Sequence, residues 1–283
     1  MNMFGKEYAN YLNILIQSFG QMNKEYQKKG NVNRKDGRFL GKLKKFYIAV
    51  FGIPEIGFQI RSIYFKNILA SHVFSKNPQK ILDAGSGIGA YAFWLGEKFA
   101  NAEVVGGEID KDKLKFCQAM TKDLERKNVA FIYQDIMKLN KKNKYDLIVA
   151  IDVLEHIYNY EKPLENFFYM LYKHGYLYIH VPQPSQKRIL PIFKNWHHDD
   201  HAHEGISKIN LENHLIKLGF KIIISKETFG FFGKLAWELN HLFLSRSFFM
   251  VGLTYPLLYL IARIDAWHYN RNGLGVALLA RKS

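Results

Sequence analysis

Three short stretches of this 283-residue chain gather groups that can do chemistry. Asp83-Ala84-Gly85-Ser86-Gly87-Ile88-Gly89 spaces three glycines through one turn. Glycine accepts positive φ and lets backbone approach a ligand closely. A helix starting there would aim free N–H groups and a positive dipole end at that ligand. The spacing lacks the G-x-G-x-x-G form, which counts against a dinucleotide. Asp152-Val153-Leu154-Glu155-His156 and Trp196-His197-His198-Asp199-Asp200-His201-Ala202-His203-Glu204 collect carboxylates and imidazoles. Such groups move protons near neutral pH, and His156 or His201 is a candidate metal-free base. Taken singly, each stretch also reads as a tight turn, a helix cap near Glu155, or hydrogen-bonded loop histidines.

The elements around these stretches alternate between short apolar runs and helical segments. Strands are predicted at Lys80–Asp83, Glu103–Glu108, Val129–Gln134, Tyr145–Ile151 and Tyr176–Val181, with helices at Tyr91–Phe99, Lys111–Lys127 and Lys162–Leu171. A helix near Ile209–Leu218 and strands Lys221–Ser225 and Val276–Ala280 follow. This alternation predicts an α/β fold with a doubly wound, mostly parallel sheet of seven strands. The glycine turn and both acidic loops then fall outside the carboxyl ends of strands, where open sheets bind ligands.

Two segments exceed a minimal sheet domain. Residues 1–78 form a basic helical extension or cap. In it 4–29 carry Phe4, Tyr8, Tyr11, Leu12, Ile16 and Phe19 on one helical face, and 30–45 read as a basic linker. Residues 227–273 form an apolar helical insert between the core, 79–226, and the last strand, 274–283. Ser247 to Ala262 is uncharged but holds Pro256 and is shorter than the roughly 20 residues a spanning helix needs. A lid, a membrane-surface helix or a dimer contact fits it better.

Charge is distributed unevenly. The net values are +10 for 1–80, −1 for 81–183 and +6 for 184–283. Basic flanks fit an anionic membrane surface, nucleic acid, or simply a solvated lysine-rich surface. The single cysteine, Cys117, excludes an internal disulfide, suits a reducing cytosol and reads as a small core residue. The first ten residues carry Lys6 and Glu7 and no apolar signal core. The expected location is cytoplasmic, with peripheral contact on the inner face of a membrane as an option.

The glycine turn resembles motif I of class I, Rossmann-like S-adenosylmethionine-dependent methyltransferases. Val104-Val105-Gly106-Gly107-Glu108, Tyr133-Gln134-Asp135-Ile136 and Tyr145-Asp146-Leu147-Ile148-Val149 follow it in the family's order. The resemblance covers about 80–225. It implies cofactor binding by Asp83, Gly85, Ser86, Gly87, Gly89, Glu108, Ile109, Asp135 and Ile136. Glu108 would hold the ribose hydroxyls, Asp135 the adenine amino group, and Ile136 the ring. The D-x-x-E-H pattern of 152–156 is similar to the E-x-x-E-H of ubiquinone-type and small-RNA 2′-O-methyltransferases. That similarity implies catalytic roles for Asp152, His156 and His201, or a divalent metal on Glu155, His156 and His201. The expected reaction is O-methylation of a small or lipid-linked acceptor. RNA 2′-O-methylation and a catalytically silent binding protein are the alternatives, and the oligomeric state is left open.

Overall fold

The computed structural model describes residues 55–138, 144–184, 186–194, 202, 204–244 and 248–283. The expected helix over 4–29, the linker over 30–45 and His197, His198, His201 and His203 lie outside the described residues.

The first described helix, α1 (Ile56–His72), is capped by Glu55, whose carboxylate accepts the Gly57 N–H at 2.8 Å and the Phe58 N–H. Such a cap satisfies amide donors that have no partner inside the helix. There follow β1 (Lys80–Ala84), α2 (Ala90–Lys98), β2 (Glu103–Glu108), α3 (Lys111–Asp123), β3 (Val129–Tyr133), β4 (Tyr145–Ile151) and α4 (Glu161–Met170). The chain closes with β5 (Leu171–Pro182), α5 (Lys208–Lys217), β6 (Phe220–Thr228), α6 (Phe231–Leu244), α7 (Phe248–Trp267) and β7 (Gly275–Lys282).

The seven strands form one sheet in the order β3-β2-β1-β4-β5-β7-β6. The first five run parallel and β7 lies antiparallel between β5 and β6. Strand order reverses between β1 and β4, and the crevice beyond their carboxyl ends is where a doubly wound sheet binds its ligand. Successive strand residues point to opposite faces, so each central strand feeds two cores. Ile81, Leu147, Val149, Tyr178 and Leu279 pack under α1, α2, α3, α6 and α7, while Leu82, Ile148, Leu177 and Leu278 pack under α4 and α5.

Two boundaries depart furthest from the periodicity, while β6 and β7 run one to three residues beyond their predicted ends. Helix α3 stops at Asp123 rather than Lys127, because Glu125 adopts φ +51° and breaks the helical path. Strand β5 begins at Leu171 rather than Tyr176, continuing directly from α4; its early residues pair with Tyr145 across a register shift. The apolar insert folds as two helices, α6 and α7, that pack against each other. Tyr255, Leu258, Ala262 and Ala266 of α7 bury against the core that α1 shares. Among the described residues no helix is long and apolar enough to cross a membrane.

Candidate active site

Strand β1 delivers the glycine turn to the crevice. Gly85, Gly87 and Gly89 take φ of +78°, +57° and +81°, as their spacing predicts. The three face different surroundings. A Cβ at Gly85 would stand 2.5 Å from Val153 Cγ2, and one at Gly89 would stand 2.7 Å from Phe131 Cζ. A Cβ at Gly87 would meet nothing within 4 Å. Gly85 and Gly89 are thus kept small by neighbouring side chains, and Gly87 borders open space.

Glu108, at the end of β2, folds back on this turn. One carboxylate oxygen accepts the Gly87 N–H at 2.7 Å, and the other accepts the Ile109 and Asp110 N–H groups at 2.9 Å each. Asp83 and Ser86 are buried beneath the turn, and Asp83 Oδ2 and Ser86 Oγ have no hydrogen-bond partner. Burial pushes the Asp83 carboxyl up to about 7; the Ala92 N–H opposes the rise and the neighbouring Glu108 charge adds to it. Cys117 lies under the same turn with Sγ 3.5 Å from the Gly87 carbonyl. Burial pushes its thiol up to about 12, so it is an inert core group, as its position in the sequence suggests. Beyond β3, Asp135 accepts the Met137 N–H at 2.9 Å, Ile136 is buried, and Ile109 is exposed.

Buried polar atoms without partners, an open face at Gly87 and a carboxylate on the next strand suit an S-adenosyl ligand. Orphaned polar groups in a protein interior are rare and need an explanation. A polar ligand bordering the turn supplies one.

The loop after β4 forms the adjoining wall. Asp152 adopts φ +50°, a strained conformation for a residue with a Cβ. Its carboxylate is held from two sides. Oδ1 lies 2.6 Å from His180 Nδ1, and Oδ2 lies 2.9 Å from Arg61 Nε. His180 is buried in β5, and its Nε2 lies 3.0 Å from the Thr228 hydroxyl at the end of β6. Its two ring nitrogens thus bridge the Asp152 carboxylate and the Thr228 hydroxyl. Arg61 also approaches Glu55 at 3.6 Å, and its guanidinium is held firmly charged by Asp152 and Glu55 despite burial.

Glu155 is 1% exposed, and Oε2 has no hydrogen-bond partner. Burial, and then the Asp152 charge, raise its carboxyl well above the ordinary range. His156, next along the same 3-10 turn, is exposed. Asp152, Glu155 and His156 line an open cavity of about 280 Å³ together with Arg61, His180, Arg188, Phe229 and Trp237.

The structure therefore brings Asp152, Glu155 and His156 to one cavity beside the glycine turn. The third member of the expected set, His201, lies outside the described residues. Among the described residues no three His, Cys, Asp or Glu side chains converge as a metal site. The sequence reading missed Arg61, His180 and Thr228. His180 carried a signal, being the one polar residue in the run Tyr176-Leu177-Tyr178-Ile179-His180-Val181 of a central strand. Arg61 carried none, because its partner Asp152 is remote in the chain.

Comparison with known proteins agrees with this geometry. Residues 75–238, more than half of the chain, match the family described as a methyltransferase domain. A pavine N-methyltransferase of Thalictrum flavum subsp. glaucum is 27% identical over 139 residues, 49% of this chain and 39% of that protein. The chain thus spans less than half the length of the curated relatives it matches. Coclaurine N-methyltransferase bound to N-methylheliamine and SAH superposes with a TM-score of 0.52 at 17% identity, over 79% of this chain and 72% of that one. The O-methyltransferase of a trans-AT PKS multienzyme of Brevibacillus brevis, in complex with S-adenosyl-L-homocysteine, gives 0.52 at 16% identity, over 80% and 72%. At these identities the two structures speak for the fold. The chain belongs to the class I, Rossmann-like family of S-adenosylmethionine-dependent methyltransferase domains.

Proposed function

We propose that the chain transfers the methyl group of S-adenosylmethionine to a proton-bearing heteroatom of a small acceptor held beside Asp152. The observation that carries this reading is the interlock of the two loops: Gly85 is in van der Waals reach of Val153, so the glycine turn and the Asp152 cavity are neighbours. Asp83, Gly85, Ser86, Gly87, Gly89, Glu108, Ile109, Asp135 and Ile136 would form the cofactor side. Bound there, S-adenosylmethionine supplies a sulfonium methyl already activated for in-line displacement.

The protein's task is then to position the acceptor and exclude water. Asp152, fixed by Arg61 and His180, offers a carboxylate oriented before the acceptor arrives. It can accept a hydrogen bond from an acceptor O–H or N–H and hold that proton as the heteroatom reacts. Glu155, favouring its protonated form, can donate one hydrogen bond into the cavity. His156, on the exposed side of the turn, is the proton's route to solvent. The acceptor atom expected from the loops is oxygen, whereas the curated relatives are named as N-methyltransferases. Parallel assays with matched hydroxyl-bearing and amino-bearing acceptors, reading S-adenosylhomocysteine release, decide between them.

We read the step as metal-free. Arg61 stands at 2.9 Å from Asp152 and lines the same cavity as Glu155 and His156, so a dication on those two residues would meet a fixed positive charge there. Turnover surviving dialysis against EDTA supports this reading; loss restored by added Mg²⁺ or Zn²⁺ supports the metal.

Isothermal titration with S-adenosylmethionine tests the whole proposal. Saturable binding that Glu108→Ala weakens is expected, and absence of binding to the full chain rejects it.

One observation favours a lipid-linked acceptor taken from an anionic membrane surface. Leu253, Leu257, Leu260, Ile264 and Trp267 recur at helical spacing along α7 with their side chains exposed. An exposed apolar row on a basic protein suits an interfacial helix.

A further inference from the structure

The acceptor cavity has a second charged wall that methyl transfer leaves unused. It is built from the segment 186–190 and from α6. Arg188 projects into the cavity with its guanidinium carbon 4.5 Å from the centre of the Trp237 ring. Stacking of this kind holds a guanidinium plane in place while leaving its edge free to form hydrogen bonds. Trp237 is itself fixed, with the His241 ring 3.8 Å away and Phe193 packed edge-on at 5.9 Å.

The backbone that carries Arg188 is also fixed. Glu238, fully buried in α6, accepts the Ile189 N–H at 2.8 Å and the Leu190 N–H at 2.6 Å, one on each carboxylate oxygen. These two bonds commit Glu238 to the backbone rather than to the neighbouring guanidinium. Arg188 donates to the neutral Gln186 Oε1 at 2.7 Å, and its Nε–H is buried without a partner. Among the described residues no carboxylate stands within ion-pair distance of it.

The contrast with Arg61 is decisive. Arg61 lines the same cavity but is neutralised by Asp152 and Glu55. The cavity thus holds one satisfied guanidinium beside the carboxylates and one stacked guanidinium with a buried donor left over. A buried charged donor without a partner is costly, and a planar anion is the ligand that a guanidinium edge fits best.

Resting on the methyl-transfer reading, we propose that the acceptor bears an anionic group, a carboxylate or a phosphate, which docks on Arg188 while its reacting heteroatom lies beside Asp152. The acceptor is then a hydroxy or amino acid, or a phosphate ester, rather than a plain amine or a neutral phenol. Gln186 steers the guanidinium, and Trp237, covered by Arg188 and by the His241 ring, holds it in place.

The test uses the full chain and a set of ring probes: benzoate, phenyl phosphate, benzamide and benzylammonium. Each is titrated calorimetrically with and without saturating S-adenosylhomocysteine. We expect one of the two anions to bind at least about tenfold tighter than benzamide, the loss typical of removing one charged hydrogen-bond partner. Whichever anion binds tighter identifies the group as carboxylate or phosphate. Arg188→Gln should erase the preference and Arg188→Lys should keep part of it, with S-adenosylhomocysteine affinity unchanged in both. Benzamide or benzylammonium binding as tightly as the anions, no saturable anion binding, or a preference that survives Arg188→Gln overturns the proposal. Failure of S-adenosylhomocysteine to bind the unmodified chain would instead count against methyl transfer, and the probes titrated without it still decide the anion site.

Discussion

His180 Nδ1 and Asp152 Oδ1 stand 2.6 Å apart in the cavity that both residues line, although 28 positions separate them in the chain. Strand register makes the meeting possible. Ile151 at the end of β4 pairs with His180 in β5, and the Asp152 N–H donates to the His180 carbonyl at 3.0 Å. The positive φ at Asp152 then turns its side chain back toward the imidazole. His180→Ala should therefore lower kcat by about tenfold or more while leaving S-adenosylhomocysteine affinity unchanged, because His180 orients Asp152 without touching the cofactor turn. It should also reduce stability by roughly 2 kcal/mol through a lost hydrogen bond and a small cavity. Steady-state kinetics beside a urea denaturation curve checks both, and unchanged kcat would remove His180 from the site.

The glycine turn offers a matched pair of substitutions. Gly89→Ala must push against Phe131 at 2.7 Å as well as adopt an unfavourable φ, so Tm should fall by several degrees. Gly87→Ala meets only open space and should cost about 1 kcal/mol of backbone strain. Its methyl would nevertheless occupy the face assigned to the cofactor, so S-adenosylhomocysteine affinity should drop more than stability does. Thermal shift with and without S-adenosylhomocysteine separates the two effects.

Glu108 joins three backbone amides of the turn and of the start of α3 to one carboxylate. Glu108→Gln keeps the shape but replaces one acceptor oxygen with a donor, which must face an N–H. Cofactor affinity should fall at least about tenfold, in line with a lost charged hydrogen bond. Equal affinities by calorimetry would show that the turn holds its shape without the carboxylate.

Asp83 predicts a stability slope with pH. Its folded carboxyl is raised to about 7 from an ordinary value of 3.8. The folded state therefore holds a proton that the unfolded chain releases, and stability is greatest below about pH 4 and declines as pH rises through 7. The change attributable to this group is roughly 4 kcal/mol. Asp83→Asn should flatten that part of the profile, as read by urea denaturation between pH 5 and 8. A slope identical to that of the unmodified chain would assign it to other groups.

The apolar row on α7 gives a test of membrane contact. If it lies on an anionic bilayer, the chain should float with vesicles of phosphatidylglycerol and phosphatidylcholine, and Leu257→Glu with Leu260→Glu should abolish flotation without changing S-adenosylhomocysteine affinity. Equal recovery of both proteins in the pellet would leave the row without a membrane role.

The amino-acid sequence by itself determined the sheet, the glycine turn and the placement of acids at the ends of β2, β3 and β4. These depend on local rules: side-chain alternation along strands, positive φ at glycine, and helices that begin where strands end. Strand β2 and strand β4 match their predicted limits for that reason. Tertiary structure alone decided what surrounds Asp152. Arg61 reaches it from α1, His180 from β5 and, through His180, Thr228 from β6; Arg188 and Trp237 wall the same cavity from the segment 186–190 and α6. No periodicity within one element encodes such meetings, because they follow from the packing of α1, α6 and α7 over one sheet face. The glycine-turn side of the crevice is local in the chain and legible there, and the Asp152 cavity is assembled from distant segments and appears only on folding.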